Sequence, residues 1–267
     1  MGKQLKDDGR LMAGDLVTKA DKRFQKTLNW DRGDGKQKVL VASLTLTMIP
    51  QEAYGTHCSN FYQLGRDCPE YNFAFVTPRR MAIDGMRNMV VDMAIKGGFD
   101  YLYFFDDDTV NDKNVLGRLL PRMEEFNAVS AGYYVRGFPF NPMVFRWTDE
   151  EDKKKGFALT GYRGHKKYID DDGVMRDKVA AVGCGCTLFR VEDFKRVAYP
   201  WFKTGLHNTE DAYWFYKVHQ VVDDYKVGMD FNIQCGHLCN PVYVDADNVE
   251  VVRKFHRALH KVGGISQ

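Results

Sequence analysis

The apolar positions change period several times along the chain, and each change marks an element. Residues 38–50, KVLVASLTLTMIP, form a nearly unbroken run of β-branched and aliphatic side chains that Pro50 closes, the pattern of a buried strand. YNFAFVT at 71–77 is a second such run, stopped by Pro78. From Asp84 to Lys96 the period becomes helical. Met86, Met89, Val90, Met93 and Ala94 share one face, Asp84 stands where an N-cap belongs, and Gly97-Gly98 ends the segment. FDYLYFF then reads as another strand. Strand, helix, strand in this order predicts a right-handed crossover and an α/β fold with a mainly parallel central sheet flanked by helices.

That last strand runs straight into Asp106, Asp107 and Asp108. In open α/β sheets the carboxyl ends of the strands form the crevice where ligands bind, so topology places this triplet for function. If the strand continues through them, Asp106 and Asp108 project from one face, where like charges must take up protons or share a cation. Hard divalent ions such as Mg²⁺ and Mn²⁺ favour oxygen ligands. The plainer alternative is that the triplet caps a helix in DKNVLGRLLPRM. A second triplet, Asp170–Asp172, precedes Gly173 between short alternating segments and reads as a solvated turn.

Composition changes this picture little. A chain of 267 residues with net charge +2 and six cysteines is of ordinary globular character, with no dominant polyanionic partner and no disulfide scaffold, which fits a reducing compartment. No stretch approaches the ~18 apolar residues of a membrane helix, and the opening lacks a secretory signal, so a soluble cytoplasmic protein is expected. Lys6 stands where a myristoylation motif wants Ser or Thr. Residues 1–37 form a polar, basic extension. Met12, Leu16, Ala20, Phe24 and Leu28 recur in it every four residues, as in an amphipathic helix, though a disordered arm fits as well. Residues 38–250 form the main domain, and 251–267 a basic tail in which Val252, Phe255 and Leu259 space an amphipathic helix.

Further chemistry is scattered. Glu210 and Asp211 open the aromatic-rich helix TEDAYWFYKV, where acidic residues are ordinary. His237 follows a short apolar strand in IQCGHLCN. Gly183, Cys184 and Gly185 make a small-residue passage fit for close backbone approach or for a bulge. Arg87, on the polar side of its helix, is placed either to neutralise a phosphate or to pair with the aspartates.

Taken in order, GMRNMVVDMAIKGGFDYLYFFDDDT, VSAGYYVRGFPFNPMVF, VGCGCTLFRVEDFKRV, PWF, TEDAYWFYKV and CGH resemble the nucleotide-sugar glycosyltransferases of the GT-A fold, especially the family 2-like group. The resemblance runs from about Lys38 to about His237. It implies that Asp106 and Asp108 form an Asp-x-Asp element holding Mn²⁺ or Mg²⁺ against the donor diphosphate, with Asp107 between them and His237 as third metal ligand. It further implies Asp211 as catalytic base, Glu210 on the acceptor, and Gly183, Cys184 and Gly185 lining the acceptor side. Thr45, Thr47 and Pro50 fall where the family binds nucleobase and ribose. Uridine diphosphate is the commonest donor nucleotide in such enzymes. The physical requirements agree, since glycosyl transfer needs a cation where the leaving diphosphate gains charge and a base beside the acceptor hydroxyl. Direct displacement would invert the anomeric centre.

Three rivals remain at this level. Cys184, Cys186, Cys235, His237 and Cys239 offer zinc ligands, but Cys-x-Cys within apolar strands more often supplies small buried residues. A nucleotidyltransferase or phosphoryl-transfer enzyme also uses Asp-x-Asp after a strand. A non-catalytic sugar-binding module would need no base at Asp211. The acceptor is open among glycan, protein, small molecule and the hydroxymethylated bases of viral DNA. The last is raised by the basic stretches EEDKKKG, YRGHKK and VRKFHRALHK, although such runs are usually solvated faces. The oligomeric state is not encoded legibly.

Overall fold

The computed structural model describes residues 34–45, 48–78, 81–147, 159–161, 165–205, 209–239, 242–244, 247–254 and 257. In chain order the elements are β1 (Gln37–Leu44), α1 (Gln51–Asp67), β2 (Tyr71–Val76), α2 (Ile83–Lys96), β3 (Tyr101–Asp106), β4 (Thr109–Asn111), α3 (Val115–Leu119) and β5 (Ala128–Gly132). There follow β6 (Val144–Trp147), β7 (Leu159–Gly161), β8 (Val174–Met175), β9 (Val179–Val182), β10 (Cys186–Arg190), α4 (Val191–Arg196), α5 (Glu210–Val221), β11 (Val227–Cys239) and β12 (Val242–Val244).

The main sheet runs β12-β11-β5-β10-β3-β1-β2, with β4 and β8 added along β11. β1 is parallel to β2 and β3, and β5 to β11, while β10 runs against both β3 and β5. β1, β2, β3, β5 and β11 therefore point one way, giving a Rossmann-like, mainly parallel α/β layout. A smaller antiparallel sheet, β7-β6-β9, stands beside it. Alternation along β3 divides the core. Leu102 and Phe104 join Met86, Val90 and Ala94 of α2, whereas Tyr103 and Phe105 join Leu64 of α1 and Leu116 and Leu119 of α3. Among the described residues no helix is long and apolar enough to cross a membrane.

Several expected boundaries move. The first strand stops at Leu44 rather than running to Pro50, which instead is the N-cap residue of α1. That helix has no apolar stripe to announce it, because its buried positions include His57, Asn60 and Gln63 alongside Ala53 and Leu64. α2 starts one residue before Asp84, with Ala82 as N-cap. The Asp84 carboxylate accepts instead from the amides of Gly85 (2.8 Å) and Thr204 (3.1 Å). Its end is as expected, with Gly97 as C-cap and Gly98 at φ +62°. The strand carrying His237 is not short: β11 has 13 residues and a register shift between Asp230 and Gln234.

The second triplet is a turn, as expected. Gly173, at φ +79°, follows Asp170–Asp172, and the carboxylates of Asp170 and Asp172 lie 2.9 and 2.6 Å from the Arg176 guanidinium. Residues 249–254 are helical, and Val252 packs against a cluster of Tyr134, Phe140, Val244 and Val249. The amphipathic pattern of residues 12–28, Thr47, Phe255 and Leu259 lie outside the described residues.

Candidate active site

β3 ends at Asp106, level with Leu44 of β1, and the chain does not continue straight. The Asp106 amide donates to the Gly185 carbonyl (2.9 Å), and the Thr109 hydroxyl donates to the Asp106 carbonyl (2.9 Å), closing a tight turn with Asp107 and Asp108 at its tip. β4 then pairs with β11, which sets Thr109 opposite His237, and the Leu238 amide donates to the Asp108 carbonyl (2.9 Å). The triplet caps no helix, since α3 begins after Asn114 in the left-handed conformation. The charges of Asp108 and His237 still act on Asp106, so the two carboxylates stay near each other. The turn sends them to different partners.

Asp106 joins a buried cluster around Arg87. That arginine is 1% exposed and faces the carboxylates, which corrects its assignment to the polar side of α2. Its Nε donates to Glu210 (3.1 Å) and lies 3.6 Å from Asp211, its Nη2 lies 3.3 Å from Asp106, and its Nη1 donates to the Cys184 carbonyl (3.4 Å). The Phe104 ring lies 5.1 Å from the guanidinium carbon. One cation thus serves three carboxylates, too few for all to ionise comfortably out of water. Burial pushes the Asp211 carboxyl up to about 7, with Arg87 opposing and Glu210 reinforcing the shift. Burial raises Asp106 as well, again against Arg87.

Asp211 does not cap its own helix. Its Oδ2 accepts from the Cys184 amide (3.1 Å), and its buried Oδ1 has no hydrogen bond. Gly183 and Gly185 are fixed by close approach, but the approaching groups belong to the protein. A Cβ on Gly183 would stand 2.2 Å from the Tyr133 hydroxyl, and one on Gly185 would stand 3.1 Å from the Asp106 carboxylate. The Tyr133 hydroxyl accepts from the Gly185 amide (2.9 Å). These residues form the link from β9 to β10, not a bulge within a strand.

Asp108 sits apart, 2.8 Å from Arg136 and 3.4 Å from His237 Nε2. Burial alone would raise its carboxyl, but the His237 hydrogen bond and the charges of His237 and Arg136 hold it below the usual range. His237 Nδ1 donates to the Tyr134 carbonyl (2.8 Å), which aims Nε2 at the carboxylate. An imidazole whose other nitrogen is tied to a carbonyl is the usual arrangement of a metal-binding histidine. Among the described residues no three His, Cys, Asp or Glu side chains gather at metal-holding spacing. The residues suit a hard cation that takes one or two protein ligands and completes its shell with phosphate oxygens and water.

At the end of β1 the Thr45 hydroxyl is buried without a hydrogen-bond partner, and Pro50 lies half-buried where α1 starts. Cys186 and Cys235 are joined in a disulfide, which corrects the expectation of reduced cysteines and removes two of the five zinc candidates. Sequence reasoning missed Tyr133, Arg136 and the α1 residues behind the turn. Their only signal was membership of the stretch YYVRGF and of a polar helix.

No family model matches the chain, and no curated protein matches it. Similar solved structures include A197 from STIV, at 17% identity and a TM-score of 0.49, covering 75% of this chain and 85% of that one. S. aureus TarS aligns at 11% identity and a TM-score of 0.39 over 73% of this chain and 36% of its own. A 4-diphosphocytidyl-2C-methyl-D-erythritol synthase from Anaerococcus prevotii aligns at 8% identity and a TM-score of 0.38 over 84% of this chain and all of its own. At such identities and TM-scores none of these likenesses bears on activity.

Proposed function

We propose that the chain is a glycosyltransferase that moves a sugar from a nucleoside-diphosphate sugar to an acceptor hydroxyl, with inversion and with Asp211 as the base. The observation that carries this reading is the state of Asp211, a buried carboxyl pushed up to about 7 whose Oδ1 has no hydrogen bond. A group poised near neutrality, with one oxygen held only by the 3.6 Å ion pair to Arg87, is what proton removal from a hydroxyl requires. Arg87 pairs with Glu210 and Asp106 beside it, and the Cys184 amide orients the second Asp211 oxygen.

In this reading the acceptor oxygen attacks the anomeric carbon as its proton passes to Asp211, and the bond from that carbon to the diphosphate oxygen breaks. Asp108 and His237 would hold Mn²⁺ or Mg²⁺, with Asp106 and Asp107 at the same turn. When bound, the ion supplies a Lewis acid where the diphosphate gains charge. Arg136, more than half exposed beside Asp108, is a second cation within reach of that charge. The unpartnered Thr45 hydroxyl and Pro50 fit the nucleoside end of the same crevice, with Thr47 assigned there by resemblance alone. Glu210 and the Gly183–Gly185 link belong to the acceptor side.

The test is calorimetry of a panel of nucleoside diphosphates and nucleotide sugars, with and without Mn²⁺, on wild type and Asp108→Ala. Binding of one nucleotide that needs the metal and weakens at least tenfold in the variant is expected. No nucleotide binding under any metal would sink the proposal. A nucleotidyltransferase would instead bind and cleave a nucleoside triphosphate.

A further inference from the structure

Beside the carboxylate cluster, between the first turns of α2 and α5, lies an open pocket of about 490 Å³ that the chemistry above does not use. Asp84, Asn88, Tyr199, Phe202, Lys203 and Tyr213 line it. It shares both helices with the cluster, since Asn88 follows Arg87 and Tyr213 lies on the opening turn that carries Asp211. Its volume falls in the range of ~300–1,000 Å³ typical of small-molecule sites.

The floor is built rather than incidental. The Asn88 amide donates to the Phe202 carbonyl (2.7 Å), and its Oδ1 accepts from the amides of Trp201 and Phe202 (3.0 Å each). Asp84 accepts from the Thr204 amide (3.1 Å), and Lys217 donates to the Pro200 carbonyl (2.8 Å). The segment 199–204 is thus pinned to both helices. On it stands Tyr199, 45% exposed, with the edge of Trp201 against its ring at a centroid distance of 5.5 Å.

An aromatic face left open to solvent, rimmed by a carboxylate, an ammonium and a second phenol, suits a ligand with one apolar face and many hydroxyls. A sugar ring has that form: its C–H face lies on an aromatic ring while its hydroxyls reach the rim. Asp84 spends its two amide contacts out of roughly four lone-pair sites, which leaves acceptor capacity for hydroxyl donors. We infer that this pocket is the acceptor subsite and that it takes a saccharide, one ring of which lies on the exposed face of Tyr199. The word acceptor rests on the glycosyltransferase reading, whereas saccharide binding does not.

Calorimetry and saturation-transfer NMR with maltose, cellobiose and lactose on wild type, Tyr199→Ala and Lys203→Ala test this, with a short single-stranded oligodeoxynucleotide as competitor. At least one disaccharide should bind saturably, weakening at least tenfold in Tyr199→Ala and severalfold in Lys203→Ala, and the oligonucleotide should not displace it. Near-UV circular dichroism checks that both variants keep their tertiary packing. No saccharide binding by wild type, equal binding by Tyr199→Ala, or displacement by the oligonucleotide would overturn the assignment. Uridine diphosphate titrated into the same wild-type sample separates the two readings. Nucleotide binding without saccharide binding defeats the pocket alone. Saccharide binding without any nucleotide binding would defeat its role as acceptor subsite together with the transferase reading.

Discussion

Asp211 answers two demands that oppose each other. As a base it must lose its proton near neutral pH, yet it stands buried beside Glu210 and Asp106 with Arg87 as their shared cation. A carboxyl raised to about 7 in the folded chain, from the ordinary value of 3.8, binds its proton more tightly folded than unfolded. Its contribution to stability is therefore full below pH 4 and is lost as pH rises through about 7. Asp211→Asn removes that liability while its amide oxygen still accepts from Cys184. The variant should lose about 10²–10⁴ in transfer rate. It should also melt higher than wild type at pH 8, by an amount on the order of 2 kcal/mol that vanishes near pH 4. Wild-type transfer should rise with pH through about 7. A pH–rate profile and paired melting curves check all three, and a variant that melts lower than wild type at pH 8 would remove Asp211 from the role of strained base.

At the scale of elements, α1 holds the carboxylate turn from behind. His57 Nε2 donates to the Thr109 carbonyl (3.0 Å), Thr56 accepts from the Asn111 amide (3.1 Å), and Asn60 both donates to the Asp112 carbonyl (3.0 Å) and accepts from the Val115 amide (2.9 Å). A helix with polar residues on its buried side is thus a clamp for an irregular strap, which is why its apolar pattern gave no warning. α2 and β3 were legible because they bury aliphatic side chains at regular period, and the Asp triplet because it follows such a strand. Burial lowers His57 to about 4, so it is neutral in the folded chain when unfolded chains would already carry a proton. Stability is then lost as pH falls from about 6.5 toward 4. His57→Gln, which keeps a donor toward Thr109, should lose less stability than wild type over that window. Denaturant midpoints at pH 7 and 4.5 measure the difference, and parallel losses in the two proteins would count against a neutral, buried His57.

At the scale of the molecule, the succession β1, β2, α2, β3 could be read before any contact was known, though not α1 within it, and the pairing of side chains could not. Asp106, Glu210, Asp211 and Arg87 come from α2, β3 and α5, and only the folded sheet shows that they meet. The same holds for Asp108, His237 and Arg136, which meet because β4 and β11 pair across the turn. The fold therefore keeps two charged centres, one buried around Arg87 and one nearer solvent around Asp108. The backbone from Asp106 to Asp108 links them directly. Acidic character at the sheet edge was visible in the sequence; its division between the buried cluster at Arg87 and the cluster of Asp108, His237 and Arg136 was not.

β11 adds a constraint of counting. Its first half lies along β5 and its second along β4 and β12, with the register shift between Asp230 and Gln234 separating them. Beyond that shift each residue has a fixed address, with Cys235 opposite Asn111, Gly236 opposite Val110 and His237 opposite Thr109. Because the side-chain period of a strand is two, loss of one residue here turns His237 to the other face. Deleting Gly236 should abolish metal-dependent nucleotide binding as completely as Asp108→Ala does, as calorimetry would show; retained binding would detach His237 from the site. The stretch from Gln234 to Gly236 can thus exchange side chains over generations but cannot change its length.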